Sequence, residues 1–424
     1  MRVTERRVAV VNLGCRVNRV ESDRISSDLA AAGFAMAAEE DAELVVINTC
    51  AVTGEAEAKT RKAVRHALAL PLEPWVVATG CAVNLNPEEL EGISPRVVVE
   101  PAKARIVDAA CRTLGAVPVS HASAGTRVSD GRVRLGVKIQ DGCNHRCSYC
   151  IVWKARGPET SLSVEDVLGQ VRGAVAAGAG EVVLTGVNLG AYREDDGWGG
   201  TCEAAGLVRE ILGRTTVPQL RLSSIEPMDV DEDLILAMAE GGERVAPFLH
   251  LPIQSGCSAT LRRMNRPYGA DDLLALAEGI RAALPAIALS ADVIVGFPGE
   301  TEEEFGESLA LCEAMGLSRM HVFRYSKRPG TPAATMPGQV PPEMMAERSV
   351  RMRDLATRLA RDDARRRVGS RERCVIEYPG RGTLGSFHRA VIEGAEHLTP
   401  GSVAKVGIMG VEDSGLVRCR LVEG

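Results

Sequence analysis

No stretch of this 424-residue chain approaches the ~20 consecutive apolar residues that a membrane-spanning helix requires, so no helical membrane span is expected. The opening run Met1-Arg2-Val3-Thr4-Glu5-Arg6-Arg7 leads straight into a strand-like segment. It holds no signal-peptide core, and a cytoplasmic location is expected. A basic excess is missing as well: 50 Lys and Arg stand against 56 Asp and Glu, a net charge of −6. That balance argues weakly against a nucleic-acid partner, although local charge matters more than the sum. Long internal repeats and low-complexity tracts are also lacking, which sets aside repeat arrays and biased tails.

What remains is an ordinary globular composition, 45% hydrophobic and 25% charged, long enough for two or three domains. The 12 cysteines are too many for inert packing and sparse for a disulfide scaffold. In a reducing compartment such residues bind metal or do chemistry. Three of them stand in Asp141-Gly142-Cys143-Asn144-His145-Arg146-Cys147-Ser148-Tyr149-Cys150. A C-x3-C-x2-C loop supplies three thiolates, enough to hold a [4Fe–4S] cubane by three irons and leave the fourth open to a ligand. The competing assignment is a closed zinc site with His145 as fourth ligand, cramped because His145 lies between the cysteines.

Upstream, short apolar strands alternate with helices, which implies a parallel sheet covered on both faces. The expected strands are Val8–Leu13, Leu44–Asn48, Trp75–Thr79 and Val97–Val99; the helices are Arg19–Ala32, Glu55–Leu68, Pro87–Glu91 and Lys103–Leu114. Cys15, Cys50 and Cys81 each follow one of the first three strands, where open α/β sheets build ligand sites. Glycines at 14 and 80 would let the backbone approach a bulky group. Three more thiolates on one sheet edge suggest a second cluster with an open iron, against the plainer reading of buried free cysteines.

Residues 118–131 read as a linker, since Ser, Ala, Gly and Thr predominate in Pro118–Asp130. Beyond it, strands are expected at Val133–Ile139, Glu181–Gly186, Gln219–Ser223, Phe248–Leu251, Ile287–Val295 and Arg319–Phe323. Helices fall between them, notably Val164–Ala177, Asp231–Ala239, Asp271–Ala283 and Glu302–Met315. Six such units fit a partial parallel barrel better than a full eight, with the cysteine loop at its catalytic mouth. Pro341–Arg366 reads as one long helix. Short strands at Arg373–Tyr378, Arg389–Ile392, Ser402–Val411 and Leu416–Leu421 suggest a small β-domain. The fold class expected is thus α/β: an open parallel sheet over 1–117, a partial (β/α)6 barrel over 132–366, and a β-domain over 367–424.

Candidate ligand contacts cluster at the barrel-strand ends. Thr185, Gly186 and Asn188 close the second strand, and Ser223 and Glu226 follow the third. His250 and Gln254 lie on the fourth, Asp292 on the fifth and Arg324 on the sixth. Each alone has a plain reading, such as a βα turn, a helix cap or a satisfied structural histidine. Five in order at one barrel mouth are a strong signal.

With these motifs in place, the chain resembles the methylthiotransferase family of radical S-adenosylmethionine (SAM) enzymes over nearly its whole length. The resemblance implies an auxiliary cluster on Cys15, Cys50 and Cys81 and a SAM-cleaving cluster on Cys143, Cys147 and Cys150. It implies two SAM per turnover, one giving a methyl group to sulfur and one giving a 5′-deoxyadenosyl radical, and a C-terminal domain of the TRAM kind. Gly14-Cys15-Arg16-Val17-Asn18, Asn48-Thr49-Cys50-Ala51-Val52-Thr53 and Ala155-Arg156-Gly157-Pro158 are similar to the branch acting on N6-threonylcarbamoyladenosine at position 37 of tRNA. The same chemistry on isopentenyladenosine or on an aspartate of ribosomal protein S12 is the alternative, as is a non-catalytic iron–sulfur protein. Trp153-Lys154 departs from the family's usual proline and aromatic.

The partners implied are a tRNA anticodon loop and an electron donor such as flavodoxin or ferredoxin, with the protein a monomer. Single-stranded loop bases can be splayed into a pocket. Six arginines between Arg361 and Arg373, Arg365, Arg366 and Arg367 above all, would track phosphates, unless they only solvate a helix face. Arg156 and Lys154 are candidate contacts to the threonyl carboxylate.

Overall fold

The computed structural model describes residues 6–51, 54–118, 131–195 and 200–422. Of the expected linker 118–131, only the two end residues lie within that set; Val52 and Thr53 fall outside it as well.

The N-terminal unit is built on Leu44–Thr49, a strand buried at every position. Its sequence, LVVINT, shows no alternation because helices cover both faces of the sheet. The five strands run parallel in the order Ala35–Met36, Arg7–Asn12, Leu44–Thr49, Trp75–Gly80, Val97–Val99. Ile25, Leu29, Ile106 and Ala109 of helices Arg16–Ala31 and Ile106–Leu114 pack on one face. Val64 and Ala67 of helix Gly54–Leu68 and Leu90 of Pro87–Glu91 pack on the other. Strand order reverses between Arg7–Asn12 and Leu44–Thr49, and such a switch point opens a crevice beyond the carboxyl ends of the strands. Ala35–Met36 was not expected. Two exposed residues carry too little pattern to betray a strand.

The central unit is the expected partial barrel. Arg134–Lys138, Glu181–Thr185, Leu220–Leu222, Phe248–Gln254, Ala288–Val295 and Arg319–Arg324 lie side by side and parallel. The third and fourth are joined through the bridges Leu220–Val245 and Ser224–His250. No pairing joins the first strand to the sixth among the described residues, so the barrel is open along that side. Leu135, Val137, Val182, Leu184, Leu249, Leu251, Leu289, Ala291, Met320 and Val322 belong to the shell core packed under the helices. By strand alternation Arg134, Gly136, Lys138, Glu181, Thr185, Arg221, Ser223, Phe248, His250, Ser290, Asp292, Arg319, His321 and Phe323 then face the lumen. Helix Ala204–Arg214, which buries Leu207, Val208 and Ile211, was not among the helices named from sequence.

Pro342–Arg366 forms one helix that seats Met352, Leu355 and Leu359 on the barrel shell. After it, Arg371–Tyr378, Arg381–Leu384, Arg389–Glu393, Val417–Leu421 and Val403–Val411 close into a small barrel in that order. The strand Arg381–Leu384 completes it and was not expected, because its single Leu gives no period. No described helix is long and apolar enough to cross a membrane.

Candidate active site

The three N-terminal cysteines lie beyond the carboxyl ends of three neighbouring strands, at the switch-point end of the sheet. Cys15 is the N-cap of helix Arg16–Ala31, Cys50 follows Leu44–Thr49, and Cys81 opens the short helix Cys81–Leu85. Hydrogen bonds pin the loops that carry them. Asn18 Nδ2 donates to the Thr49 carbonyl at 2.7 Å, Asn48 Nδ2 to the Asn18 carbonyl at 2.9 Å, and the Ala82 amide to Thr49 Oγ1 at 3.2 Å. Gly14 is required here: a Cβ on it would stand 2.8 Å from Cys50 Cβ and 3.1 Å from Cys50 Sγ. Cys50 and Cys81 are buried while Cys15 is exposed.

The second cysteine set lies beyond the first barrel strand. The Cys143 amide donates to the Gly157 carbonyl at 3.1 Å and the Cys150 amide to the Cys147 carbonyl at 3.1 Å. Burial pushes the Cys143 thiol up to about 11 and the Cys150 thiol up to about 12, so these thiols give up their protons to an incoming metal rather than to water. The one group of described residues whose ligand atoms lie within 4.8 Å of one another is His250, Asp292 and His321.

Around this loop, Asn188 Nδ2 lies 3.3 Å from His145 Nε2, and the Asn188 amide donates to Gln140 Oε1 at 2.8 Å. Gly186 packs against Gln140 as well. Asn188 Oδ1 and Ser223 Oγ are buried without a hydrogen-bond partner, and burial raises the carboxyl pKa of both Glu226 and Asp229, against a side-chain hydrogen bond from Asn188 to Asp229. Orphaned acceptors beside the Cys143–Cys150 loop fit a ligand rich in hydrogen-bond donors. Thr185 Oγ1 bonds back to the Val183 carbonyl at 3.3 Å. Gln254 ends its strand at φ +68, and Arg324 stands exposed at the end of the sixth strand.

Arg266 escaped the sequence reading. Buried and paired with Glu226, it donates from Nη1 to Cys147 Sγ at 3.1 Å. Its place in Met264-Asn265-Arg266-Pro267, an Arg locked by a following proline, was the only local signal.

Within the lumen, Asp292 Oδ1 accepts from His250 Nε2 at 3.2 Å and from His321 Nδ1 at 3.1 Å. Ser290 Oγ lies 2.9 Å from His250 Nδ1, and Arg319 Nε donates to His321 Nε2 at 3.2 Å. That last bond leaves the His321 proton on Nδ1, so the group is a hydrogen-bonded triad rather than a vacant cation site.

The two cysteine sites share one residue. Arg156, six positions after Cys150, buries its side chain to 4% exposure. Its guanidinium donates to Glu21 Oε1 at 2.8 Å, to Asp141 Oδ1 at 2.9 Å and to Asn18 Oδ1 at 3.0 Å. Asn18 Oδ1 in turn accepts from the Cys15 thiol at 3.4 Å. Burial opposes the Arg156 charge, but Cys81, Glu21 and Asp141 outweigh it and hold the group protonated. Lys138 and Lys103 complete the network on Glu21 at 2.6 and 3.0 Å. The expectation of a substrate contact is therefore corrected: Arg156 is enclosed by ion pairs and ties the N-terminal unit to the cysteine loop. Lys154 is also engaged, donating to the Gly330 carbonyl at 2.9 Å. Of the three C-terminal arginines, Arg365 and Arg366 are exposed. Arg367 is instead half-buried and paired with Asp363 at 2.8 Å and Glu372 at 3.0 Å, so its guanidinium is already engaged.

The profile of the Radical SAM superfamily matches residues 137–312, and that of "Uncharacterized protein family UPF0004" matches residues 7–100. The chain is 32% identical over 417 residues to the threonylcarbamoyladenosine tRNA methylthiotransferase MtaB of Chlamydia pneumoniae, covering 96% of each protein. This chain belongs to the radical SAM methylthiotransferase family. Membership brings SAM and a [4Fe–4S] cluster as cofactors. Among other methylthiotransferases, the chain is 36% identical over 364 residues to the tRNA-2-methylthio-N(6)-dimethylallyladenosine synthase of Novosphingobium aromaticivorans, covering 81% of this chain and 80% of that one. The radical SAM methyltransferase TsrM of Kitasatospora setae shares the fold. Its TM-score is 0.57 at 17% identity, over 78% of this chain and 75% of that chain.

Proposed function

We propose that this chain is a tRNA methylthiotransferase that places a methylthio group on C2 of N6-threonylcarbamoyladenosine at position 37, using two [4Fe–4S] clusters and two SAM per turnover. The observation that carries the two-cluster reading is the gathering of six cysteines into two sets tied together by Arg156. Cys143, Cys147 and Cys150 would hold the cluster whose open iron binds SAM, and Cys15, Cys50 and Cys81 the one that presents the sulfur to be inserted. When bound, these groups supply the radical and the methylated sulfur.

The chain's own residues do the rest. Thr185, Asn188, Ser223 and Glu226 would orient SAM, with Arg266 neutralising charge at Cys147. The N-terminus of helix Arg16–Ala31, capped by Cys15, favours an anionic group there. Arg365 and Arg366, beside the small β-barrel, would contact the anticodon stem and loop.

The substrate branch is supported by the Cys15-Arg16-Val17-Asn18 motif. Relatives named for threonylcarbamoyladenosine also match from end to end, as in Thermotoga maritima at 98% of each protein. The second reading, the same chemistry on isopentenyladenosine, is favoured by the 36% identity to the Novosphingobium protein.

Nucleoside mass spectrometry on reconstituted enzyme, SAM, reductant and tRNA bearing threonylcarbamoyladenosine tests the proposal. A methylthio mass gain on that nucleoside is expected, lost in Cys50→Ala while 5′-deoxyadenosine still forms. A gain on isopentenyladenosine tRNA alone would move the assignment to the second reading.

A further inference from the structure

Four guanidinium groups surround one phenyl ring at the floor of the barrel. Phe387 lies on the loop between Arg381–Leu384 and Arg389–Glu393, holds φ +75 and stacks on Phe248 with centroids 4.9 Å apart. The Cζ atoms of Arg221, Arg134, Arg319 and Arg16 stand 4.7, 4.8, 5.1 and 5.8 Å from its centroid. A bulky residue at positive φ persists only where its surroundings hold it there. Here the loop reaches in from the C-terminal domain to close the lumen floor.

The charges around the ring do not balance. Glu181, fully buried, accepts from Arg134 Nε at 2.8 Å and from Arg221 Nη2 at 2.7 Å, and Glu377 accepts from Arg134 at 3.2 Å. Arg221 also donates to the Gly385 carbonyl at 2.8 Å. These two arginines are thereby satisfied. Arg16 and Arg319 form no ion pair among the described residues; Arg319 spends only its Nε, on His321. Both stay accessible to solvent, so an incoming group can reach them. Burial, then Arg389 and Arg134, lower the Arg319 pKa. Like charges held together around one ring are relieved by an anion.

We propose that Arg16 and Arg319 bind the carboxylate of the threonyl group on the modified adenosine and so select an anionic side arm over an apolar one. The inference rests on the tRNA reading above. Arg16 follows Cys15 in the chain, so its backbone starts beside the proposed sulfur-presenting site while its guanidinium reaches the Phe387 ring and Arg319. A guanidinium matches a carboxylate with two parallel N–H bonds. An isopentenyl arm would leave both cations desolvated and unpaired, the strongest form of rejection a pocket offers.

The test is fluorescence-anisotropy binding of anticodon stem-loops to the reconstituted enzyme. The loops carry threonylcarbamoyladenosine, isopentenyladenosine or plain adenosine at position 37. Wild-type protein should prefer the first. Arg16→Gln and Arg319→Gln should each weaken that loop about 10- to 100-fold, from the loss of charge-assisted hydrogen bonds. The plain loop should be unaffected, which also shows that the variants fold. Arg16→Lys should recover part of the preference. Equal weakening for all three loops would assign the arginines to RNA phosphates and overturn the proposal, as would full preference retained in both Gln variants. A wild-type protein with no preference defeats the substrate reading itself, and the role of the pair with it.

Discussion

Replacing Arg156 by alanine should uncouple the N-terminal unit from the cysteine loop without touching a cysteine. Its side chain is 4% exposed and that of Glu21 is 5% exposed. Removing one partner of a buried ion pair costs about 3–5 kcal/mol, because the remaining charge stays buried. Glu21 keeps Lys138 at 2.6 Å and Lys103 at 3.0 Å, and Asp141 keeps Lys138 at 2.5 Å, so the lower end, about 3 kcal/mol, applies. A three-unit chain does not unfold in one step, so the readout is native-state amide exchange in helix Arg16–Ala31. Protection there should fall about 100-fold in Arg156→Ala. Burial alone would raise the Glu21 carboxyl, but Arg156, Lys103 and Lys138 hold it well below the usual carboxylate range. A depressed folded pKa adds stability that is fully present above the unfolded value, about 4.3, and is lost as pH falls through the folded one. The gap between variant and wild type should therefore be full at neutral pH and narrow in acid below about pH 4. Protection within about threefold of wild type at pH 7 would refute the idea that this network holds the two units together.

Other perturbations separate the parts. Gly14→Ala should displace Cys50, since the new Cβ would meet Cys50 Sγ at 3.1 Å; iron content should drop by one cluster's worth while circular dichroism is unchanged. Arg266→Gln leaves Glu226 and Cys147 without their buried partner. It should lower stability by about 3 kcal/mol and change the electron paramagnetic resonance signal of the SAM-site cluster; an unaltered signal would remove Arg266 from that site. Replacing Arg365 and Arg366 together by Gln should reduce the salt slope of tRNA binding by about 2. Arg367→Gln should instead lower thermal stability, since its partners Asp363 and Glu372 are buried.

Both cysteine sets could be found by spacing because each sits immediately after a strand of parallel sheet, where chain order and spatial order coincide. The barrel strands were legible for the same reason: their shell faces repeat Leu and Val at alternate positions. Side chains in the lumen obey no local rule. Which of them meet depends on the stagger between strands and on loops that arrive from other units. Arg266 reaches Cys147 across 119 positions, and Phe387 meets Phe248 only after the C-terminal domain has docked. Arg156 stands out in the sequence as a basic residue near the cysteine loop, but its neighbours Glu21 and Asn18 come from the N-terminal unit, so its enclosure is not readable from its own surroundings.

The Phe387 loop gives the C-terminal barrel a second task. Domains of this sort are easily treated as detachable RNA handles, to be trimmed when a smaller catalytic fragment is wanted. A fragment ending at the long helix would keep every cysteine named here yet lose the ring that lies among Arg16, Arg134, Arg221 and Arg319. Water would then enter the lumen from beneath, and Arg221 would lose the Gly385 and Leu384 carbonyls to which it donates. A truncation that silences such an enzyme would thus report a leak in the reaction chamber as readily as a loss of grip on tRNA.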